Sequence, residues 1–454
     1  MGQRPDDDRP AQDKGKALKA PAIFAPTIFA LASAPGRAGV ALVRVSGPEA
    51  GTVLRALAGG LPLPRAADLR TLRHRGAQID RALVLWFPAP HSFTGEDVAE
   101  FHLHGGRAIR EALFEALAEL GLRPAEPGEF SRRAVEHGRL DLTRAEAIAD
   151  LVEAETPAQL RQALRQYDGA LAVLYDGWRT DLIAALAHAE AAIDFSDDGV
   201  DETEFAAARA DAKKIIAAIE THLDDHGRGE ALREGLKLTI LGPPNAGKSS
   251  LINALAQRDA AIVSEIPGTT RDVIELRLNL GGYLVHVADT AGLRETKDAI
   301  EAEGVRRALA QAQAGDLVIL LRDGTAPYTE HNDIKPDLLV WNKSDLPGFH
   351  KRDGLALSLK SGAGLPELIA ALTRLVAERL ETGSEAPALT RPRHRAALSE
   401  ALASLRHSQT APADQPELFA EDLRLALRAI GRITGEVDVE ELLDQVFRDF
   451  CIGK

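Results

Sequence analysis

The segment Gly242 to Ser250 reads Gly-Pro-Pro-Asn-Ala-Gly-Lys-Ser-Ser. Its glycines let backbone N–H groups wrap an anion, and its lysine and hydroxyl stand at the spacing that reaches a polyphosphate and its magnesium. Asn245, Ala246, Gly247, Lys248, Ser249 and Ser250 are therefore candidate nucleotide contacts, with Lys248 on the β- and γ-phosphates and Ser249 on Mg²⁺. Asp289-Thr290-Ala291-Gly292 follows. Asp289 is placed to hold Mg²⁺ through water, and the Gly292 N–H to meet the γ-phosphate. Asn342-Lys343-Ser344-Asp345 comes third. A carboxylate at Asp345 accepts two hydrogen bonds from guanine N1 and its exocyclic amine, a donor pair that adenine lacks. Ser358–Gly362 stands where a last base contact is expected.

Between the first two motifs lies Ser264-Glu265-Ile266-Pro267-Gly268-Thr269-Thr270. It fills the first switch region, where Thr270 can complete the Mg²⁺ shell. Asn245 has two readings: a turn residue that stabilises the loop, or a carboxamide oxygen that holds a monovalent cation beside the phosphates. Position 293 carries Leu where Ras-like GTPases have a Gln that orients the attacking water. Leucine cannot position water, so another group must. Together the motifs resemble those of translation-factor-type GTPases.

Each motif needs a strand to deliver it. Apolar runs at Leu236–Leu241, Tyr283–Thr290, Asp316–Leu321, Asp337–Asn342 and Leu355–Leu359 alternate with helix-like stretches. That alternation predicts a mostly parallel α/β sheet. Upstream, Thr27–Ser33, Val40–Gly47 and Arg81–Phe87 read as strands and Arg107–Leu120 as a helix, an α+β arrangement. Residues 143–223 and those from Arg393 onward repeat apolar side chains at three and four, the helical period. The expected division is a disordered tail over 1–24, an α+β domain over 25–138, helices over 139–233, a Ras-like α/β domain over 234–382, and helices again over 383–454. We expect the α/β unit to be inserted into one helical domain whose two stretches pack together; four successive units are the alternative.

The 454 residues carry a net charge of −14, unlike a protein that grips nucleic acid over its whole surface. The basic run Arg391–Arg395 is read as a solvated hinge. A lone cysteine, Cys451, excludes an internal disulfide framework and suits a reducing cytoplasm. No apolar run reaches the roughly 18 residues of a membrane helix. Ala22–Ala34 imitates a signal sequence, but Asp6, Asp7 and Asp8 precede it where a positive segment belongs. It is read as the end of a tail and the start of a strand.

Further segments have no role in nucleotide chemistry: APGRAG, SFTGEDVAEFHLHGG, PGEFSRRA, LDLTRAEAIADLVEAET, AAIDF and the terminal CIGK. With the nucleotide motifs they make the chain resemble the MnmE (TrmE) family of tRNA-modification GTPases along nearly its whole length after the tail. The resemblance implies an N-terminal folate-binding and dimerising domain, a discontinuous helical domain and an inserted G domain. It implies a cytoplasmic homodimer that joins the flavoprotein MnmG in a heterotetramer. The pair would modify carbon 5 of the wobble uridine of certain tRNAs with a one-carbon unit from 5-formyl- or 5,10-methylene-tetrahydrofolate. GTP hydrolysis would be activated by potassium, held by Asn245, Ser264, Ile266 and Thr269, and Glu301 would help orient the water. By residue type alone, Glu301 reads as a carboxylate at a helix start, facing the dipole. Arg44, Glu100, Arg139 and Lys454 would contact the folate. Cys451, near them if the tail docks, is either a reactive thiol or a small buried residue. A regulatory GTPase of ribosome assembly, and a one-carbon transferase regulated by its G domain, are the competing readings.

Overall fold

The computed structural model describes residues 26–194, 201–258, 260–262, 276–288, 315–327, 335–350, 352–381, 387–412, 415–437, 440–448, 450 and 453. Two compact units emerge: Met1–Arg139 with Phe447–Lys454, and Leu140–Val446.

The first unit holds β1 (Ile28–Leu31), β2 (Ala41–Ser46), α1 (Ala50–Ala58), β3 (Asp68–His74), β4 (Ala77–Phe87), β5 (Val98–Leu103), α2 (Arg107–Glu119), β6 (Arg123–Pro124) and α3 (Glu129–Glu136). The strands form one sheet in the order β3-β4-β5-β2-β1-β6. Alternation decides its two faces. In β2, Val43 and Val45 enter a core with Leu54, Leu72, Phe101, Leu113 and Leu117, built on α1 and α2. Arg44, between those valines, points to the opposite face. There Ile28 and Ala30 pack with Ala125 and Phe130 in a smaller cluster.

The second unit opens with α4 (Leu142–Glu153), α5 (Pro157–Tyr167), α6 (Ala170–Asp194), α7 (Asp201–Leu223) and α8 (Arg228–Glu234). The α/β part follows: β7 (Leu236–Leu241), α9 (Lys248–Ala256), β8 (Ala261–Ile262), β9 (Leu276–Leu280), β10 (Tyr283–Ala288), β11 (Leu317–Asp323), β12 (Leu338–Asn342), β13 (Leu355–Ala356) and α10 (Leu365–Leu380). The helices α11 (Pro392–Ser408), α12 (Pro416–Thr434) and α13 (Glu440–Arg448) close the chain. Sheet order is β13-β12-β11-β7-β10-β9-β8. β7 and β10 to β13 are parallel, and β8 and β9 add an antiparallel edge. The helices on either side of this insert share one core, in which Tyr175, Leu182 and Ile219 meet Leu398, Phe419 and Ile430. The helical domain is therefore discontinuous and the α/β domain inserted, as expected.

Charged side chains fasten the two helical stretches. Glu146 of α4 is buried and accepts from Arg393 Nε at 2.6 Å, Arg393 Nη2 at 2.9 Å and His394 Nε2 at 3.0 Å. Burial pushes its carboxyl up, but Arg393 and His394 outweigh that and hold it well below the usual range. One turn on, Asp150 accepts from Arg391 Nη2 at 2.6 Å, with Arg233 Nε at 3.5 Å. Burial wins here, helped by Glu146 and Glu153 against the two arginines, and lifts Asp150 to about 6. The arginines of Arg391–Arg395 are thus largely spent on internal carboxylates, Arg395 meeting Asp225 at 2.5 Å. The solvated-hinge reading gives way to an anchored one.

Two substitutions separate these carboxylates. Glu146→Gln strands Arg393 beside a neutral partner and is expected to cost about 3–5 kcal/mol at neutral pH in urea unfolding. Asp150 has a raised folded pKa, so its contribution is complete below 3.8 and is lost as pH rises through about 6. The stability of the unaltered chain relative to Asp150→Asn should therefore fall across that window. Parallel stability curves for the two proteins would contradict this assignment.

Candidate functional site

The phosphate-loop residues leave β7 and turn tightly. Asn245 has φ 64° and Gly247 φ 104°, both left-handed. Gly242 is pressed against β11: a Cβ there would lie 2.1 Å from the Leu321 carbonyl oxygen, so only glycine fits. Lys248 Nζ donates to the carbonyls of Gly242 at 2.8 Å and Pro243 at 3.1 Å, inside the bowl of the loop. Ser249 and Ser250 are exposed in the first turn of α9, where unpaired helix N–H groups favour an anion. Among the described residues the Asn245 carboxamide has no hydrogen-bond partner, and it is exposed. The exposed hydroxyl and carboxamide fit hard cations, which take oxygen ligands.

Asn342 ends β12 and is buried. Its Nδ2 donates to Ala246 O at 2.8 Å, and its Oδ1 accepts from Lys343 N at 2.7 Å and Leu359 N at 3.2 Å. A Cβ on Gly247 would come within 2.5 Å of that Nδ2. Asn342 thus braces three loops. Lys343, at φ 68°, reaches Asp323 Oδ2 at 2.6 Å. Burial pushes the Asp323 carboxyl up, but hydrogen bonds from Lys343 and Thr325 hold it below its usual range. Ser358 Oγ donates to Asp345 Oδ1 at 2.6 Å and keeps that exposed carboxyl low and ionised. A cleft of about 360 Å³ lies between Asn245, Gly247, Ser250, Asn342, Lys343, Asp345 and Leu359, within the usual range for small-molecule sites. Ser264, Glu265, Ile266, Pro267, Gly268, Thr269, Thr270, Asp289, Thr290, Ala291, Gly292, Leu293 and Glu301 lie outside the described residues.

A second polar constellation stands in the first unit. Arg44 and Glu100 are register partners on β2 and β5. Arg44 Nε donates to Glu100 Oε1 at 3.0 Å, and its guanidinium lies 5.4 Å from the Phe93 ring centre and 5.8 Å from that of Phe130. A carboxylate can take the N–H edge of a pterin-type ring, and a cation beside it a neighbouring carbonyl or formyl oxygen. Arg139 follows α3, where its Cγ would meet a Cβ on Gly95 at 3.3 Å. Cys451 and Lys454 lie outside the described residues, but Gly453 approaches the Leu31 carbonyl of β1 so closely that a Cβ would sit 2.3 Å away.

Sequence reasoning missed the residues behind these contacts. His102 Nε2 lies 3.5 Å from Glu100 Oε2. Below, Ser46 Oγ donates to Glu96 Oε2 at 2.6 Å, Arg133 Nη1 donates to Glu96 at 3.0 Å and Arg133 Nη2 to Glu129 at 2.8 Å. Burial raises the Glu129 carboxyl, yet Arg123, the Glu126 N–H and Arg133 together bring it below its usual range. The segments 92–106 and 127–134 stood out as motifs, but no local spacing links their side chains.

The chain matches the MnmE helical domain model over residues 142–451 and the model of the GTP-binding protein TrmE N-terminus over residues 27–139. A tRNA modification GTPase MnmE of Paramagnetospirillum magneticum is 56% identical over 439 residues, covering 94% of this chain and 99% of that one. That of Rhodospirillum rubrum is 55% identical over 450 residues, covering 93% and 98%. Among solved structures the G domain of the T. maritima FeoB iron transporter is 25% identical over 32% of this chain and 99% of that one, at a TM-score of 0.23, too low to support an inference.

Replacing Asp345 by Asn turns an acceptor pair into one acceptor and one donor. The protein should then prefer a xanthine over a guanine nucleotide, with the affinity ratio moving by on the order of 10²-fold or more. Ser358→Ala should weaken guanine binding without changing that preference. Competition binding between GTP and XTP measures both, and an unmoved ratio in the Asn variant would contradict the role given to Asp345.

Proposed function

The chain belongs to the MnmE (TrmE) family of tRNA modification GTPases, and on that premise we propose that it is a potassium-activated GTPase working with the flavoprotein MnmG on the wobble uridine. Hydrolysis of GTP and modification of tRNA come with the family. The observation that carries the finer reading is the pairing of an unpartnered, exposed Asn245 at the phosphate loop with the Arg44–Glu100 pair on a separate sheet.

In the nucleotide site, Asp345 reads the guanine edge, Lys248 takes the β- and γ-phosphates, and Ser249 with Thr270 holds Mg²⁺. Asn245, Ser264, Ile266 and Thr269 supply oxygens for potassium. These residues would hold the two cations, whose positive charge would offset the negative charge developing on the phosphates during transfer. Leu293 leaves the attacking water to Glu301. In the first unit Arg44, Glu100, Arg139 and Lys454 orient a tetrahydrofolate derivative, which supplies the carbon when bound. On this reading Cys451, three residues before Lys454 in sequence, is the candidate reactive thiol of that site. We place the protein in the cytoplasm as a homodimer. Among the described residues no helix is long and apolar enough to cross a membrane.

GTP turnover in potassium and in sodium tests this reading. The unaltered chain should be faster in potassium, and Asn245→Ala should lose about 10²-fold of that advantage, the usual cost of one charge-stabilising group. Equal rates in the two salts would refute the potassium role.

A further inference from the structure

The strands beside the nucleotide site lead away from it. β9 begins at Leu276, shortly after Thr270, and β10 ends at Ala288, immediately before Asp289. The base of this hairpin therefore continues directly into both nucleotide-sensing segments. Its tip is Gly281-Gly282, with φ 64° and 94°, the left-handed pair that a tight two-residue turn requires. The tip is held from two sides. A Cβ on Gly281 would lie 2.6 Å from Thr373 Cγ2 of α10. The Gly282 carbonyl accepts the Ala158 N–H at 3.0 Å. Ala158 is the second residue of α5, so this amide is one that the helix cannot pair internally, and the carbonyl meets the positive end of the helix dipole.

Side chains extend the attachment. Arg277 of β9 donates to Glu155 Oε1 at 2.9 Å, just before the Thr156 cap of α5. Tyr283 Oη donates to Glu381 Oε1 at 2.8 Å, where the chain leaves the α/β domain. His286 Nε2 lies 2.9 Å from Glu234 O, where it enters that domain. A Cβ on Gly235 would fall 2.7 Å from the His286 ring, so the inbound connection is moulded to β10. One hairpin thus touches α5 and both connections to the helical domain. α5 is itself bound inward: Gln159 Nε2 donates to Arg233 O at 2.8 Å, Gln166 Nε2 to Thr143 O at 2.9 Å, and Thr390 Oγ1 to Gln166 Oε1 at 3.1 Å.

We infer that the β9–β10 hairpin is the lever through which the nucleotide state reaches the helical domain, and that Arg277, Glu155 and Tyr283 are its positioning residues. Leu278, Leu280, Val285 and Val287 are buried and hold the two strands together as one stiff element, so a displacement of either segment at the base is carried along the hairpin to its tip. None of the three residues lines the cleft between the phosphate loop and the base loop. Their loss should leave hydrolysis in place and disconnect it from α5.

Hydrogen exchange of the full chain tests this, bound to GDP and to a non-hydrolysable GTP analogue. In the unaltered protein the amides of the first turns of α5 should exchange at rates differing by about fivefold or more between the two states, the range of ordinary allosteric coupling. In Arg277→Ala with Tyr283→Phe the difference should shrink to less than about twofold, with GTP turnover also within about twofold of normal. The modified fraction of tRNA from cells carrying that variant should fall. Exchanging the charges, Arg277→Glu with Glu155→Arg, should restore the difference, which a generally loosened fold would not do. Identical α5 exchange in both nucleotide states, an undiminished difference in the first variant, or no restoration by the exchange would each overturn the inference.

Discussion

The nucleotide site depends on one buried carboxamide. Asn342 uses its N–H toward Ala246 and its oxygen toward Lys343 and Leu359, so three loops from three strand ends share one side chain. β7 and β12 do not pair with each other, since β11 lies between them. Without the brace, the phosphate loop and the base loop would be held together only through the backbone of the sheet. A buried polar group left unpaired costs about 1–3 kcal/mol, and losing Asn342 would strand several at once. The left-handed Asn245 and Gly247 and the close approach of Gly242 to β11 are shaped around the same junction.

The helical domain applies a related device with charge. Glu146 and Asp150 sit one turn apart on α4 and face the same arginine-rich segment, yet burial and partners move them in opposite directions. Glu146 has two close nitrogen donors from Arg393 and a third from His394, enough to outweigh desolvation. Asp150 has one close arginine, a distant second and two neighbouring carboxylates, which is not enough to offset its burial. Through Arg391 and Arg233, Asp150 grips both connections to the inserted domain. The contacts of β10 with Glu234 and Glu381 fall on the same connections. Nucleotide chemistry and helical packing therefore meet at a small, well-anchored joint.

The sheet, the insertion and the phosphate loop were legible because their signals are local. A glycine loop after an apolar strand and before a helix reads the same in sequence and in space. The anionic brace of the N-terminal sheet was not: Ser46 lies 50 residues from Glu96, and Arg133 37 residues from Glu96. Glu146 and His394 are 248 residues apart, with a whole domain between them. Asn342 was visible as a candidate base contact, but its bracing role was not, because the partners it joins lie 96 and 17 residues away in sequence. Arg391–Arg395 looked solvated because the carboxylates that claim it belong to helices far upstream.

The central claim is that hydrolysis at one site serves chemistry at another, on a different sheet. Deleting Cys451–Lys454 tests it most directly, with GTP turnover and wobble-uridine modification measured on the same truncated chain. The account predicts that turnover is retained and modification is lost. Loss of turnover with modification intact, or full modification by the truncated chain, would contradict it.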